Sequence, residues 1–216
     1  MLKKLYTGIT ILVRVVSWVS GMYILFIRPW HLRWGATDEE VQRPMPGDDQ
    51  VPHPMLQVTR AITIRASAAE VWPWLIQMGY RRAGWYSYDI LDNDGIHVNR
   101  IIPELQHLEV GEVMKTDSEG GFTVAAIDPN RSLVLVIRNL YAQVSSTIFL
   151  DEIDKEQTRL IIRLRANYKS GLWTTLFYLI FEPGDFLMMR KELLGIKKRV
   201  EQMHRSTSGL VGTVVH

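Results

Sequence analysis

Between residues 112 and 168, five stretches with strand character follow one another with only four or five residues between them. They read "EVMK" (112–115), "GFTVAAI" (121–127), "SLVLVIR" (132–138), "QVSSTIFLDEI" (143–153) and "TRLIIRLRANY" (158–168). The turn formers "DSEGG", "DPNRS", "RNLYA" and "DKEQ" separate them. Connections this short cannot return the chain for a parallel strand, so the stretch predicts an antiparallel meander. The last strand alternates cleanly. Leu160, Ile162, Leu164, Ala166 and Tyr168 fall on one face, and Arg159, Arg163 and Arg165 on the other. The basic row predicts a solvated outer face, with anionic lipid as the other surface it could meet.

Elements at either end of the meander set the architecture. "LQVTRAITIR" (56–65) alternates and reads as a strand, with Val58, Ala61 or Ile62, and Ile64 available for one face. "SAAEVWPWLIQMG" (67–79) opens on Ser67 and Glu70, the spacing of a capping box, and carries Val71, Trp72, Leu75 and Ile76 as an apolar stripe. Pro73 lies inside this helix and predicts a kink. After the meander, Phe186, Met189, Leu193, Ile196, Val200 and Met203 recur at steps of three and four, which is one stripe of a long helix. Before it, "GLWTTLFYLIF" (171–181) is apolar all round, and "EPGD" (182–185) predicts a break or kink between the two parts. Strand, helix, meander and long helix together predict an α+β helix-grip domain, a curved antiparallel sheet wrapped around a C-terminal helix. The space between helix and sheet can stay open as an apolar cavity.

The chain begins differently. Residues 5–27, "LYTGITILVRVVSWVSGMYILFI", contain 12 Leu, Ile, Val or Phe and one charge, Arg14. As a helix the run would extend about 35 Å. Its apolar residues favour insertion by about 5 kcal/mol, against a cost of about 3 kcal/mol for a central arginine. Lys3 and Lys4 precede it, and Arg28, Trp30, Arg33 and Trp34 follow. The expectation is one uncleaved transmembrane helix in a single-pass protein of the cell membrane, its globular part on the cytoplasmic side by a slight excess of flanking positive charge. Ser17 and Gly21 form a small-xxx-small pair that could seat a homodimer through the anchor helix. The segments are then an anchor with its interface residues (1–34), a Pro-rich linker (35–55), the helix-grip domain (56–204) and a flexible tail (205–216). Within the linker, Thr37 followed by Asp38, Glu39 and Glu40 can start one helical turn.

The whole 216-residue chain carries 25 Lys+Arg against 23 Asp+Glu, a net charge of +2, so no global field draws it to nucleic acid. Cysteine is absent, which removes disulfides, thiolate metal sites and cysteine nucleophiles. His53, His97, His107 and His204 are scattered without metal-ligand spacing, so no metal is expected. No Gly-rich phosphate loop follows a strand and no G-x-S-x-G occurs, and no cofactor is implied.

Chemistry-bearing residue types concentrate in "RRAGWYSYDILDNDG" (81–95). Its aspartates fail the calcium-loop pattern, because Ile90 and residue 101 stand where acids belong. "DNDG" is a turn or helix C-cap. Three readings stay open for the rest. The aromatics could seal one end of the barrel, with Asp89 tied to an arginine or a backbone amide. Trp72, Trp85, Tyr86 and Tyr88, with Arg82 and Asp89, could instead line the mouth of the cavity and bind an amphipathic ligand. Asp89 with a tyrosine could also serve as an acid–base pair, which needs a perturbed pKa. No catalytic residue is assigned.

The runs "RWGATDEEVQRPMPGDD", "TRAITIRASAAEVWPWLIQMGYRRAGWYSYD", "IIPELQHLEVGEVM" and "FEPGDFLMMRKELLGIKKRVEQ" carry a resemblance. With them the chain resembles a bacterial, membrane-anchored branch of the SRPBCC superfamily, which includes START lipid-transfer domains, pollen allergens and polyketide cyclase/dehydrase-like proteins. The resemblance implies the helix-grip fold and a hydrophobic cavity, and it carries no catalytic residue onto this chain. The expected function is binding or transfer of a lipid or other hydrophobic small molecule at the membrane, rather than catalysis. The alternatives are a polyketide cyclase/dehydrase-like enzyme and a non-catalytic partner of other membrane proteins.

Overall fold

The computed structural model describes residues 2–169 and 171–213. The five strands of the meander form as β2 (Val113–Lys115), β3 (Gly121–Asp128), β4 (Ser132–Arg138), β5 (Ala142–Asp154) and β6 (Gln157–Tyr168). β1 (Leu56–Ile64) closes the far edge, giving one antiparallel sheet in the order β1-β6-β5-β4-β3-β2. Short turns force each strand of the meander beside its predecessor, and β1 takes the free edge of β6.

The pleat sorts the side chains into two faces. On the concave face, Arg60 stands opposite Ile162, Ile162 opposite Ile148, and Ile148 opposite Leu133. α6 (Leu172–Thr213) lies across this face and delivers Met189, Leu193, Ile196 and Val200 into the main core. α4 (Ala68–Ile76) adds Val71, Trp74 and Leu75. The Glu70 carboxylate reaches back to the Ser67 amide at 2.9 Å, as the capping-box spacing predicts, and also meets His204 of α6 at 2.7 Å. α6 departs from the sequence reading in two ways. It runs unbroken through Pro183, which forfeits only its own backbone bond, and it continues over 205–213 where a tail was expected. The burial expected for 171–181 falls largely on side chains outside the described residues.

The convex face overturns an expectation. The arginine row of β6 is not solvated, because the Pro-rich segment lies over it as a strap. The strap holds α3 (Asp38–Gln42), capped by Thr37, and a single 3-10 turn at Asp48–Gln50. Arg159 grips both Glu40 oxygens at 2.6 and 3.0 Å, Arg163 takes Asp48 at 2.8 Å, and Arg165 takes Asp48 at 3.2 Å. Met45 joins Ala61 and Ile161 in a small second core beneath the strap. Gly47, at φ 82°, presses so close that a Cβ there would come within 2.6 Å of Val134 and 2.7 Å of Thr147. Alternation shows a basic face, and only the fold shows that an acidic segment from elsewhere covers it.

The N-terminal expectation is also corrected. Among the described residues, no helix is long and apolar enough to cross a membrane. The apolar run is divided among α1 (Leu2–Met22), a π-helical turn at Tyr23–Ile27 and α2 (Arg28–Leu32). Pro29 cannot donate the backbone bond that would continue a regular helix, and the turn before it widens, with the Arg28 amide bonding to the Tyr23 carbonyl. Arg28 does not face headgroups. It holds buried Glu182 of α6 with two bonds, at 2.8 and 2.9 Å.

Candidate functional site

The concave face is not equally filled along its length. Ile64, Leu160, Leu150 and Leu133 are fully or almost fully buried at one end. Toward the other end Ile137, Val144, Leu164 and Tyr168 are only half-buried, as is Phe122 on β3. Ile137 pairs with Val144 across β4 and β5, so these apolar side chains form a continuous patch inside the grip.

Polar groups reach the same interior from α6. Asp185 and Glu192 are seven residues apart, nearly two full turns, and so lie on one side of the helix. Glu192 lies on α6 between the core residues Met189 and Leu193 and is itself half-buried. Among the described residues it has no hydrogen-bond partner. Burial pushes its carboxyl up to about 8, and the neighbouring carboxylates of Asp185 and Asp92 add to the effect, while Arg60 opposes it. Near neutral pH Glu192 is therefore largely protonated and can donate a hydrogen bond.

Arg60 faces it from β1 and is completely buried. Nε donates to the His31 carbonyl at 2.9 Å, and Nη1 to Asp185 at 2.8 Å. The guanidinium lies 5.2 Å from the centre of the Phe186 ring. Nη2 is buried with no partner in the protein. His31 closes the cluster, its Nε2 2.9 Å from the Tyr23 hydroxyl, and burial and then Arg60 hold its pKa below the usual range. The sequence reading missed Arg60, His31, Asp185 and Glu192. An arginine at an inward position of an otherwise apolar strand is the signal that could have revealed Arg60.

The residues singled out in the sequence mostly go elsewhere. Trp72 and Tyr86 are core. The Tyr86 hydroxyl donates to the Trp74 carbonyl at 3.0 Å and accepts from Gln77 at 2.8 Å, and burial lifts its pKa well above the ordinary phenol range. Its ring lies under the Arg199 guanidinium, 4.6 Å away. Arg82 donates to the carbonyls of Ile76 and Leu105. Trp85 donates to the Lys115 carbonyl at 2.9 Å and packs half-buried against Phe122, which places it beside the apolar patch. Tyr88 is exposed, with the Lys191 ammonium 5.9 Å from its ring. Asp89 opens α5 (Asp89–Asp92) and meets His97 at 2.7 Å, while Arg81 pairs with Asp94 rather than with Asp89 or Asp92. The stretch is thus a packed corner, with Trp85 set against Phe122 of β3. α6 is seated on it at Gly195, where a Cβ would stand 2.2 Å from the Tyr86 carbonyl oxygen. Among the described residues no cluster of His, Asp and Glu could hold a metal ion.

No family model and no curated protein matches the chain. Among solved structures it is similar to the Zhui aromatase/cyclase from Streptomyces sp. R1128, at 15% identity and TM-score 0.46 over 70% of this chain and 97% of that one. It is also similar to a START superfamily protein from Mycobacterium smegmatis, at 13% identity and TM-score 0.38 over 68% and 98% of the two chains. The Aha1 dimer from Colwellia psychrerythraea gives 18% identity and TM-score 0.39 over 67% and 99%. The helix-grip assignment here rests on the strand order and on α6 lying across the concave face.

Proposed function

We propose that this protein binds a hydrophobic small molecule or lipid between the concave face of the sheet and α6. The observation that carries the reading is the set of half-buried apolar side chains Ile137, Val144, Leu164 and Tyr168 on the concave face that α6 crosses. A cavity with apolar walls and few polar groups suits such a ligand. The N-terminal helix supports a lipid source. Tyr6, Ile11, Val15, Trp18 and Met22 are exposed along α1, and Ile24, Leu25, Phe26 and Ile27 continue the apolar surface. A helix of this kind rests in the interface of a bilayer. Native mass spectrometry of the full chain released from detergent tests the binding reading. A discrete bound mass of lipid size is expected, and a ligand-free protein that takes up no added lipid would refute it. Flotation with anionic vesicles tests the surface contact, and a dimer in place of flotation would assign the exposed helix to self-association through Ser17 and Gly21.

A second reading is favoured by one observation. Glu192, protonated near neutral pH, is a group able to give a proton to a bound molecule. Turnover of an aromatic or polyketide-like substrate, lost in Glu192→Gln with binding kept, would establish an enzyme.

A further inference from the structure

The turn between β4 and β5 is built by one residue and tipped by two others. The Asn139 side-chain oxygen accepts from the Tyr141 amide at 2.9 Å and from the Ala142 amide at 2.8 Å, and the Asn139 amide donates to the Ala142 carbonyl at 3.0 Å. The Tyr141 carbonyl accepts from the Lys169 amide at 2.9 Å, which fixes the turn to the chain entering α6. Asn139 and the backbone therefore hold the turn, and the side chains of Leu140 and Tyr141 are not needed to form it. They are 90% and 74% exposed, and both lie outside the two cores. Scattered exposed leucines are ordinary. Here the most exposed large apolar side chain among the described residues, Leu140, stands next to an exposed tyrosine on a tip that is held rigid.

The tip stands at the less filled end of the concave face. Ile137 and Val144, which pair with each other, flank it, and Ala142 pairs with Tyr168. Shortly beyond Lys169, α6 begins with "LWTTLFYLIF" (172–181) and then Glu182, which Arg28 holds. That stretch of helix spans about 15 Å. It joins the tip to the exposed Ile24, Leu25, Phe26 and Ile27, which precede Arg28. Exposed Arg138 and Lys169 stand at the base of the tip. Asp117 and Glu119, in the turn between β2 and β3, share this end of the sheet but sit at its outer edge. Leucine outermost, a tyrosine hydroxyl beside it and cations behind match the layering of a bilayer surface, from acyl chains to phosphates. A protein partner would need far more surface than two side chains supply.

We propose that Leu140 and Tyr141 enter the interfacial layer of a lipid bilayer as a second contact besides α1, which turns the half-buried apolar patch toward the membrane. The proposal rests on the membrane reading of α1 given above. The chain has no cysteine, so Leu140→Cys, Trp18→Cys and Glu156→Cys each supply one labelling site on the full chain. Glu156 is exposed in the turn between β5 and β6, at the opposite end of the sheet. Each variant carries an environment-sensitive fluorophore and meets vesicles of phosphatidylcholine and phosphatidylglycerol. A blue shift, quenched by nitroxide-labelled lipid, is expected at 140 and 18 and not at 156. Leu140→Ser combined with Tyr141→Ser should weaken vesicle partitioning about tenfold and leave urea unfolding unchanged. A response at 18 alone, or partitioning unaffected by the double substitution, would overturn the proposal and keep α1 at the membrane. Equal responses at 140 and 156 would also overturn it, since no end of the sheet would then be favoured. A blue shift at 140 that grows with protein concentration without vesicles would place a second copy of the chain on the tip instead. No response at any position would overturn the membrane reading of α1 together with the proposal.

Discussion

Arg163 and Arg60 are both buried arginines on neighbouring strands of one sheet, and they differ in how completely the protein satisfies them. On the convex face every Arg163 nitrogen has a partner: Thr59 for Nε, the Arg43 carbonyl and Asp48 for Nη1, and the carbonyls of Glu40 and Val41 for Nη2. On the concave face Arg60 has Nη2 unmatched. The comparison separates two uses of the same residue. A saturated buried guanidinium is a clamp, here fastening the strap to the sheet. Arg60 is anchored by fewer groups, the His31 carbonyl and Asp185, with the Phe186 ring beside it.

The largest effect should come from breaking the clamp. Arg163→Met takes one of two arginine partners from Asp48 and a buried donor from three carbonyls, and should cost about 3–5 kcal/mol in denaturant unfolding. It should also open the segment 40–50 to protease. A loss under about 1 kcal/mol would erase the distinction drawn here. Arg60→Met should cost less, about 1–3 kcal/mol, because fewer groups lose a partner and Asp185 keeps contact with water. Equal losses from the two substitutions would make Arg60 a second clamp.

Glu192 sharpens the same contrast through pH. The folded protein holds its proton up to about 8, against an ordinary value of 4.5. Its contribution to stability is therefore complete below about pH 4.5 and is lost as pH rises through about 8, where a charge must be buried. Unfolding in urea from pH 5 to 9 should show this decline, and Glu192→Gln should flatten it. Other carboxylates slope the opposite way. Burial alone would raise the Glu40 carboxyl, but Arg159 and the Thr37 amide more than offset it and leave it below the usual range. Glu40 thus stabilises above its ordinary pKa and loses that contribution as the solution becomes acidic. The smallest effect is expected at Tyr88→Phe, within about 0.5 kcal/mol and without change in ligand affinity, since the ring is exposed and remote from both arginines' partners. A marked loss of binding would return the cavity mouth to the corner at 81–95.

Much of the fold was legible because its signals are local. Short turns dictate the meander, alternation dictates the two faces of β6, and Ser67 with Glu70 dictates the start of α4. The helical stripe of 186–203 places α6 against the core. The site was less legible. Aromatic density at 85–88 marks a corner where Tyr86 and Arg82 are consumed by backbone carbonyls and Trp85 packs against Phe122. Arg60 and Glu192 are separated by more than 130 residues, and neither belongs to a motif.

By itself, then, the sequence determined the order of the elements, which side of each strand is apolar and the chemistry that is absent: no cysteine and no phosphate loop. Those properties depend on neighbours within a few residues along the chain. Tertiary structure alone decided that the strap would cover the arginine row, that Arg28 and His31 of α2 would meet Glu182 and Phe186 of α6, and that Arg60 would be buried with one donor unmatched. Each of these depends on which groups from distant segments reach a buried charge before water is excluded, and no local pattern records that.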